Sequence, residues 1–233
     1  FSSTVIFAQK SEPWIRELTV LERAKEQFNK EKYAIALELF DSFVESSADP
    51  ASLEVAGAEY LAAVCAARLY NTDAEYRMNK FSSDHPDNPS VNSGWLELAD
   101  NFYQAKNYRS AGRYYDRVDR LELTDEQLPA YFFMAGYSHF MEGDRDKAML
   151  FFSELMDIDT EYSRPAIYYF SYIAYERKMY RTAYDGFIRL RGDESFGDIV
   201  PFYIVQIMYI LEEYDGILDM APQLIDDAGE ERK

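Results

Sequence analysis

The chain has 233 residues, of which 48% are hydrophobic and 28% charged, a balance typical of a soluble protein with a sizeable core. Its net charge of -18 repels phosphate backbones and anionic lipid headgroups, so we expect no nucleic acid among its partners. No apolar run approaches the length of about 18 residues that a transmembrane helix needs, and one cysteine, Cys65, excludes an internal disulfide. The small apolar neighbours of Cys65 predict a packed core thiol.

The N-terminal stretch FSSTVIFAQKSE changes from apolar to charged residues after Ala8. This pattern is typical of the end of a secretory signal peptide cleaved after that residue. We therefore assign residues 1–12 to a signal-peptide remnant or an N-terminal tail, and a small edge strand is the other interpretation. The signal-peptide interpretation predicts that the protein is located in the periplasm or cell envelope of a bacterium. The tail interpretation predicts that it is located in the cytoplasm.

The rest of the chain contains internal repeats. Three segments that begin at Trp95, Phe132 and Ile167 align without a gap, and earlier and later copies can be aligned with them. A repeat of this length predicts stacked supersecondary units. One position of the repeat holds a small residue in every copy but the last, and it recurs at intervals of 38, 37, 37, 35 and 34 residues. It is occupied by Ala36, Ala74, Ala111, Ala148, Ala183 and, in the last copy, Ile217.

Each repeat unit contains two patterns of helical period joined by a short polar turn. Proline-containing breakers, such as His85 to Pro89, separate successive units, because proline cannot continue a helix. Two antiparallel helices approach closely only where a side chain is small, which explains the recurring alanines. We expect the space beside each alanine to be filled by the aromatic one turn later, as at Tyr115, Phe152 and Phe187.

This pattern resembles the tetratricopeptide repeat over roughly residues 16 to 226. The residues that carry the resemblance are Trp95, Leu98, Ala99, Phe102, Tyr108, Ala111 and Tyr115, with Pro86 at the place of the closing proline. The resemblance implies an all-α fold, a right-handed α-solenoid of about six helix-turn-helix repeats, forming a single domain over 13–233 and belonging to a longer protein. The expected units span 16–49, 55–89, 92–124, 129–161, 164–195 and 198–226.

In this family the first helices of the repeats line a concave groove, and the resemblance implies which residues lie there. Tyr168, Tyr172 and Tyr175 share one helical face, whereas Phe170 and Ser171 suit packing on the second helix. The alternative is that these aromatics are simply core between adjacent repeats. The expected partner-binding residues are Phe133, Tyr137, Phe140, Tyr168, Tyr172, Tyr175, Phe202 and Tyr209, with Met141, Glu176, Gln206 and Ile210 beside them.

Chaperone-binding members of this family hold a terminal carboxylate with lysine and asparagine on successive groove helices. The corresponding places here are Lys25, Glu59, Ala63, Leu96, Asp100, Phe133 and Tyr137. Apart from Lys25 the donors are missing, so the sequence predicts no such clamp. The acids Glu59 and Asp100 favour a basic or neutral partner instead.

The sequence predicts no catalytic residue, no metal site and no cofactor. His85 and His139 are far apart in the sequence, and neither belongs to a metal-binding or nucleophile motif. The acidic segment 157–162 lacks the glycine and the final glutamate of a calcium loop.

Three hypotheses of function remain open. The first is a non-enzymatic scaffold that binds a peptide or a partner helix in the aromatic groove. The second is an envelope receptor for glycans or small ligands, which the short connections between helices disfavour. The third is a structural role, in which the aromatic faces mediate self-association or contact a downstream part of the same chain.

Overall fold

A computed structural model describes the backbone of residues 12–220 and the side chains of residues 19–220. Residues 1–11, which carry most of the expected signal-peptide remnant, and residues 221–233 lie outside this range. Between residues 12 and 220 the chain is all-helical and contains no strand. None of the helices in this range is long and apolar enough to cross a membrane.

The chain divides into two compact units between Glu122 and Leu123. The expectation of one continuous domain over 13–233 stays a prediction. In the first, the N-terminal unit, consecutive helices pack against one another as hairpins. Its helices are α1 (Glu12–Asn29), α2 (Tyr33–Ser46), α3 (Leu53–Arg68), α4 (Ala74–Asp84), α5 (Ser90–Gln104) and α6 (Tyr108–Tyr115), followed by a 3-10 turn (Arg120–Glu122).

The C-terminal unit repeats the same hairpin arrangement, with α7 packed on α8, α8 on α9, α9 on α10 and α10 on α11. A further helical segment begins at Tyr214 and continues to the limit of the described range at Met220. The helices are α7 (Leu128–Met141), α8 (Arg145–Ser153), α9 (Ser163–Glu176), α10 (Tyr180–Arg189) and α11 (Val200–Ile210).

The recurring alanines lie where the two helices of each hairpin meet, and Ala36, Ala111, Ala148 and Ala183 are fully buried. The aromatic one turn later is also fully buried in each of these hairpins, at Phe40, Tyr115, Phe152 and Phe187. The partner helix is close enough that a Cβ added at Gly136 would lie 2.9 Å from the Phe152 ring. The small residues therefore set the distance between the helices, and the aromatics fill the space beside them.

Each hairpin turn uses the same helix ending, with one residue in the left-handed region. In the α9–α10 turn, Lys178 has φ 61°, its N–H donates to the Tyr175 carbonyl, and the Met179 N–H donates to the Ala174 carbonyl. This pair of bonds is the Schellman motif, which satisfies carbonyls at the end of a helix. The left-handed residue recurs at Glu31, Tyr70, Lys106, Gly143, Lys178 and Glu212.

Two of the second helices, α6 and α8, begin with a capping side chain. The side chain of Asn107 accepts a hydrogen bond from the Ser110 N–H at 3.2 Å, and that of Asp144 accepts one from the Lys147 N–H at 3.1 Å. These caps satisfy N–H groups that have no partner within the helix, so they fix where α6 and α8 begin.

Candidate protein-binding surface

Three aromatic side chains lie along one face of α7, at positions that the sequence predicts for partner binding. Phe133, Tyr137 and Phe140 are all half-buried. Their ring centroids follow one another at 6.0 Å and 6.3 Å, and both pairs are stacked. The three rings form a continuous row along the helix, which we call the α7 row.

A second row lies on α9. Tyr168, Tyr172 and Tyr175 are half-buried and pack against the hydrophobic core that α9, α10 and α11 share. The rings of Tyr168 and Tyr172 are stacked with their centroids 6.5 Å apart. The three tyrosines, which we call the α9 row, share one helical face as their spacing predicts, and part of each ring serves the core.

One tyrosine of α9 fits into the α7 row. The Tyr169 ring lies 6.4 Å from Phe133, 5.2 Å from Tyr137 and 4.9 Å from Phe140, measured between centroids. It also stacks on Phe152 at 5.7 Å. Tyr169 therefore joins the α7–α8 hairpin to the next one, and it covers much of the α7 row.

Tyr203 of α11 repeats this contact on the α9 row. Its ring lies 6.0 Å from Tyr172, 5.3 Å from Tyr175 and 4.8 Å from Phe187. Tyr203 and Tyr169 thus have equivalent roles in successive hairpins. The two rows are packing surfaces between hairpins as well as candidate binding surfaces.

Sequence reasoning missed these two bridging tyrosines. Tyr169 stands fourteen residues before Ala183, and Tyr203 stands fourteen residues before Ile217, so both occupy one position of the aligned repeat units. The signal that could have found them is an aromatic at this shared position. It was hidden because Tyr168 and Tyr169 are adjacent, and the sequence alone does not show which of the two rings is inserted.

Hydroxyl groups of the α9 row are engaged within the unit. Burial, and next to it the neighbouring Tyr203 with its hydrogen bond, raise the pKa of Tyr168 to about 12. Burial and the nearby Glu176 carboxylate also raise the pKa of Tyr172. These hydroxyls stay neutral at physiological pH, so the row offers apolar ring surface rather than charge.

The charged groups beside the rows are also paired. Arg145 Nε donates to Glu176 Oε2 at 3.0 Å, and the guanidinium lies 4.1 Å from the centroid of the Phe140 ring. A second pair joins Arg177 to Asp146 at 2.6 Å. These ion pairs hold neighbouring hairpins together at the edge of the rows.

The predicted residues of α11 have a different environment. Phe202 is 71% exposed and Tyr209 is 66% exposed, and no ring of the α7 or α9 row contacts either. Between them, the side chain of Gln206 accepts a hydrogen bond from the Tyr175 hydroxyl at 2.9 Å. The Tyr209 ring contacts Tyr214 at 5.9 Å. We call Phe202, Gln206 and Tyr209 the α11 row.

Three charged residues at the positions of the carboxylate clamp, Lys25, Glu59 and Asp100, have partners inside the N-terminal unit. Lys25 pairs with Glu22 at 3.4 Å on the helix surface. Glu59 accepts from Lys80 at 3.3 Å and lies 2.8 Å from His85 Nε2. Glu59 therefore holds α3 to the end of α4, and the expectation that it favours a basic partner loses its basis.

Asp100 is also committed to the fold. Its Oδ1 accepts a hydrogen bond from the Tyr115 hydroxyl at 2.6 Å. Burial raises the pKa of Asp100 to about 6, although the Tyr115 hydrogen bond opposes this shift. Asp100 is half-buried and its carboxyl joins α5 to α6 through this hydrogen bond, so we regard it as a structural group rather than a site for a basic partner.

One pocket of about 370 Å³ lies between α2, α3 and α4 in the N-terminal unit. Arg77 at its wall donates to both oxygens of Asp41 at 2.7 Å and 3.0 Å, and to Asp73 at 2.6 Å. A cation with three such bonds is not available to a ligand, so we attach no function to this pocket.

The remaining reactive residue types have structural environments. His139 is buried and stacks on Phe151 with centroids 5.5 Å apart. Cys65 is fully buried, and burial raises the pKa of its thiol to about 12, as expected for a packed thiol. Within the described residues, no group of three or more histidine, cysteine, aspartate or glutamate side chains could hold a metal ion.

The hairpins, their spacing and their all-helical packing define the tetratricopeptide-repeat fold, which confirms the resemblance seen in the sequence. A solved structure of MamA (AMB-1) matches with a TM-score of 0.60 at 15% identity, covering 78% of this chain and 93% of that one. A tetratricopeptide repeat protein from Parabacteroides merdae ATCC 43184 matches with a TM-score of 0.55 at 11% identity, covering 90% of this chain and 79% of that one. No protein-family model and no curated protein matches the sequence significantly.

Proposed function

We propose that this protein is a non-enzymatic scaffold for protein-protein interactions, and that the aromatic rows of α7, α9 and α11 bind a peptide or a helix of a partner. The observation that carries the proposal is the concentration of aromatic rings along successive first helices, ending in two rings that are about two-thirds exposed. Large exposed apolar groups gathered on one surface mark an interface.

The chemistry of the rows supports a protein partner over a polar ligand. The hydroxyl of Tyr168 is hydrogen-bonded to Tyr203, and the hydroxyl of Tyr175 donates a hydrogen bond to Gln206. The exposed parts of the α9 row are therefore mainly ring faces and edges, which bind apolar and aromatic side chains. A receptor for glycans would need free donors and acceptors beside the rings, and no observation favours it.

Selection from a displayed peptide library tests the proposal. We expect the chain to enrich peptides with large apolar residues, and an isotope-labelled sample should show shifts of the Tyr172 and Tyr209 ring signals when such a peptide is added. Tyr76 is 68% exposed in the N-terminal unit, so its ring signal serves as the control and should not move. A library that yields no reproducible binder, or binders that shift only Tyr76, would contradict the proposal.

The predicted envelope location is a separate proposal, supported by the change from apolar to charged residues around Ala8. Fractionation of cells that express the chain with its natural upstream sequence tests it. Protein found only in the cytoplasmic fraction would refute an envelope location and would leave the binding proposal untouched.

A further inference from the structure

One ring of the α9 row is covered by a side chain that does not belong to a first helix. Phe196 lies in the connection between α10 and α11, residues 190–199, which we call the Phe196 loop. Its ring stacks on the Tyr168 ring, with the centroids 4.8 Å apart and the planes inclined by 19°. An aromatic side chain of a partner would stack on Tyr168 with the same geometry.

Phe196 has fewer ring contacts than the tyrosines that join the hairpins. Tyr203 contacts three rings of the C-terminal unit. Among residues 19–220, Tyr168 is the one ring that Phe196 contacts. Phe196 is half-buried and packs against the core that α9, α10 and α11 share. Its position therefore depends on one aromatic pair and on the loop that carries it.

An ion pair fastens the Phe196 loop to the start of α9. Arg164 Nη1 donates to Asp193 Oδ2 at 2.8 Å. The other carboxylate oxygen, Asp193 Oδ1, accepts from the backbone N–H groups of Ser195 at 2.9 Å and Phe196 at 3.2 Å. Asp193 thus ties the loop to the helix and shapes the backbone that presents Phe196. Because the Arg164 side chain is 62% exposed, this ion pair is a weak fastening.

A cleft of about 500 Å³ separates part of the Phe196 loop from the start of α9. Glu161 and Pro165 line it on the side of the helix, and Gly192 and Glu194 line it on the side of the loop. Gly192 has φ 76°, a conformation that glycine adopts without strain. The loop therefore bridges an open space beside the ion pair, and it is not packed on α9 along its whole length.

The preceding hairpin has a related contact with a firmer support. The Tyr162 ring lies 5.6 Å from the Phe133 ring, between centroids. Tyr162 directly precedes α9, and the connection 154–162 contains no glycine. Phe196 instead stands four residues before α11, between Gly192 and Gly197. Glycine relaxes the restrictions on the backbone, so the Phe196 loop can change its conformation while α11 stays in place.

We propose that the Phe196 loop is an internal competitor for the α9 row, which a bound partner displaces. Phe196 occupies the face of Tyr168 on which a large apolar or aromatic side chain of the partner stacks, and the pair of Arg164 and Asp193 keeps it there when no partner is bound. This inference rests on the proposed function and describes how the same site is regulated.

The contacts of the loop determine how strongly it competes. One aromatic pair and one exposed ion pair together favour the closed loop on the order of tenfold. A partner that requires the open loop binds more weakly by the same factor, because only the open fraction of the chain is competent. Loosening the loop should therefore strengthen binding, whereas removing a residue that contacts the partner weakens it.

Hydroxyl-radical footprinting read by mass spectrometry tests the loop without any partner. Arg164→Ala and Asp193→Ala should each raise the modification of Tyr168 at least about twofold, because the stacked face of the ring becomes accessible. Tyr175 lies on the same helix and should be modified as in the parent. If Asp193→Ala does not fold, Arg164→Ala decides the result, since truncating an exposed arginine changes stability little.

Arg181→Ala is the matched control. Arg181 pairs with Glu213 at 2.7 Å, and its side chain is 64% exposed, close to the 62% of Arg164. Both substitutions remove one positive charge and one ion pair between hairpins. Arg181→Ala should leave the modification of Tyr168 unchanged, because its ion pair does not hold the Phe196 loop.

Peptide binding tests the competition itself. The probe is the tightest peptide selected from the displayed library, and isothermal titration calorimetry measures its affinity for the full chain. Arg164→Ala and Phe196→Ala should each bind it on the order of tenfold more tightly, and Arg181→Ala as tightly as the parent. In the footprint of the parent, the bound peptide should protect Tyr168 and expose Phe196.

Unchanged modification of Tyr168 in the folded loop variants would overturn the inference. Weaker binding to Phe196→Ala would do so too, since it would make Phe196 part of the binding surface. If the parent binds library peptides and Arg164→Ala behaves like the parent in both assays, this inference fails and the proposed function stands. If selection on the parent and on Phe196→Ala yields no binder, the proposed function fails as well.

Discussion

Two adjacent residues of α11 have different environments, because one packs between hairpins and the other lies on the exposed surface. Tyr203 inserts into the α9 row, whereas Phe202 is 71% exposed. Replacing each by alanine in turn changes the same helix by the same kind of truncation. The helix propensity terms nearly cancel between the two variants, so the difference in stability reports the tertiary contact.

The structure gives the expected magnitudes. Tyr203 has ring contacts with Tyr172, Tyr175 and Phe187, and it is hydrogen-bonded to Tyr168. Truncating a large aromatic in such a site costs about 3 kcal/mol, of which aromatic pairs supply about 0.5 to 1.5 kcal/mol each. Truncating Phe202 should change the free energy of unfolding by less than about 0.5 kcal/mol.

Urea unfolding followed by circular dichroism measures both variants. The Tyr203→Ala transition should move to lower urea, and the C-terminal unit should lose its structure first, because stability in stacked repeats is largely local. The Phe202→Ala transition should overlay that of the parent. Equal losses in the two variants, or a larger loss for Phe202→Ala, would refute the assignment of Tyr203 as the inserted ring and Phe202 as surface.

Other consequences of the structure are open to measurement. Because burial raises the pKa of Asp100 to about 6, the folded state binds its proton more tightly than the unfolded state does, so this group's contribution to stability should fall by about 2 to 3 kcal/mol as pH rises from about 4 to 7. Asp100→Asn should remove that part of the pH dependence. If the free energy of unfolding measured in urea changes with pH equally in the parent and the variant, the assignment to Asp100 is wrong. Lys178→Gly should stabilise the chain by up to about 1 kcal/mol, because glycine adopts the left-handed conformation without the strain of a side chain. Gly143→Ala should destabilise the chain by about 1 to 2 kcal/mol for the same reason. Changes of opposite sign in thermal unfolding would show that these turns are not strained. The buried Cys65 thiol should react with a thiol reagent only on unfolding, and rapid reaction of the native chain would contradict its packing.

The sequence by itself determined the fold class and the period of the repeat. Alanines at a regular spacing, each with an aromatic one turn later, can be buried together only by pairs of close-packed helices. For the same reason the sequence located the face that holds Tyr168, Tyr172 and Tyr175, since residues at this spacing share one side of a helix whatever packs against it.

Tertiary structure decided what each of those rings contacts. Spacing within one helix does not show which of the adjacent residues Tyr168 and Tyr169 points into the preceding hairpin, because that depends on the rotation of α9 about its own axis. It also does not show that Glu59 and Asp100 are held by partners from other helices. The exposure of Phe202 and Tyr209 depends on whether another helix follows in space. Within residues 19–220 the next hairpin covers the α7 and α9 rows, and no helix covers Phe202 and Tyr209.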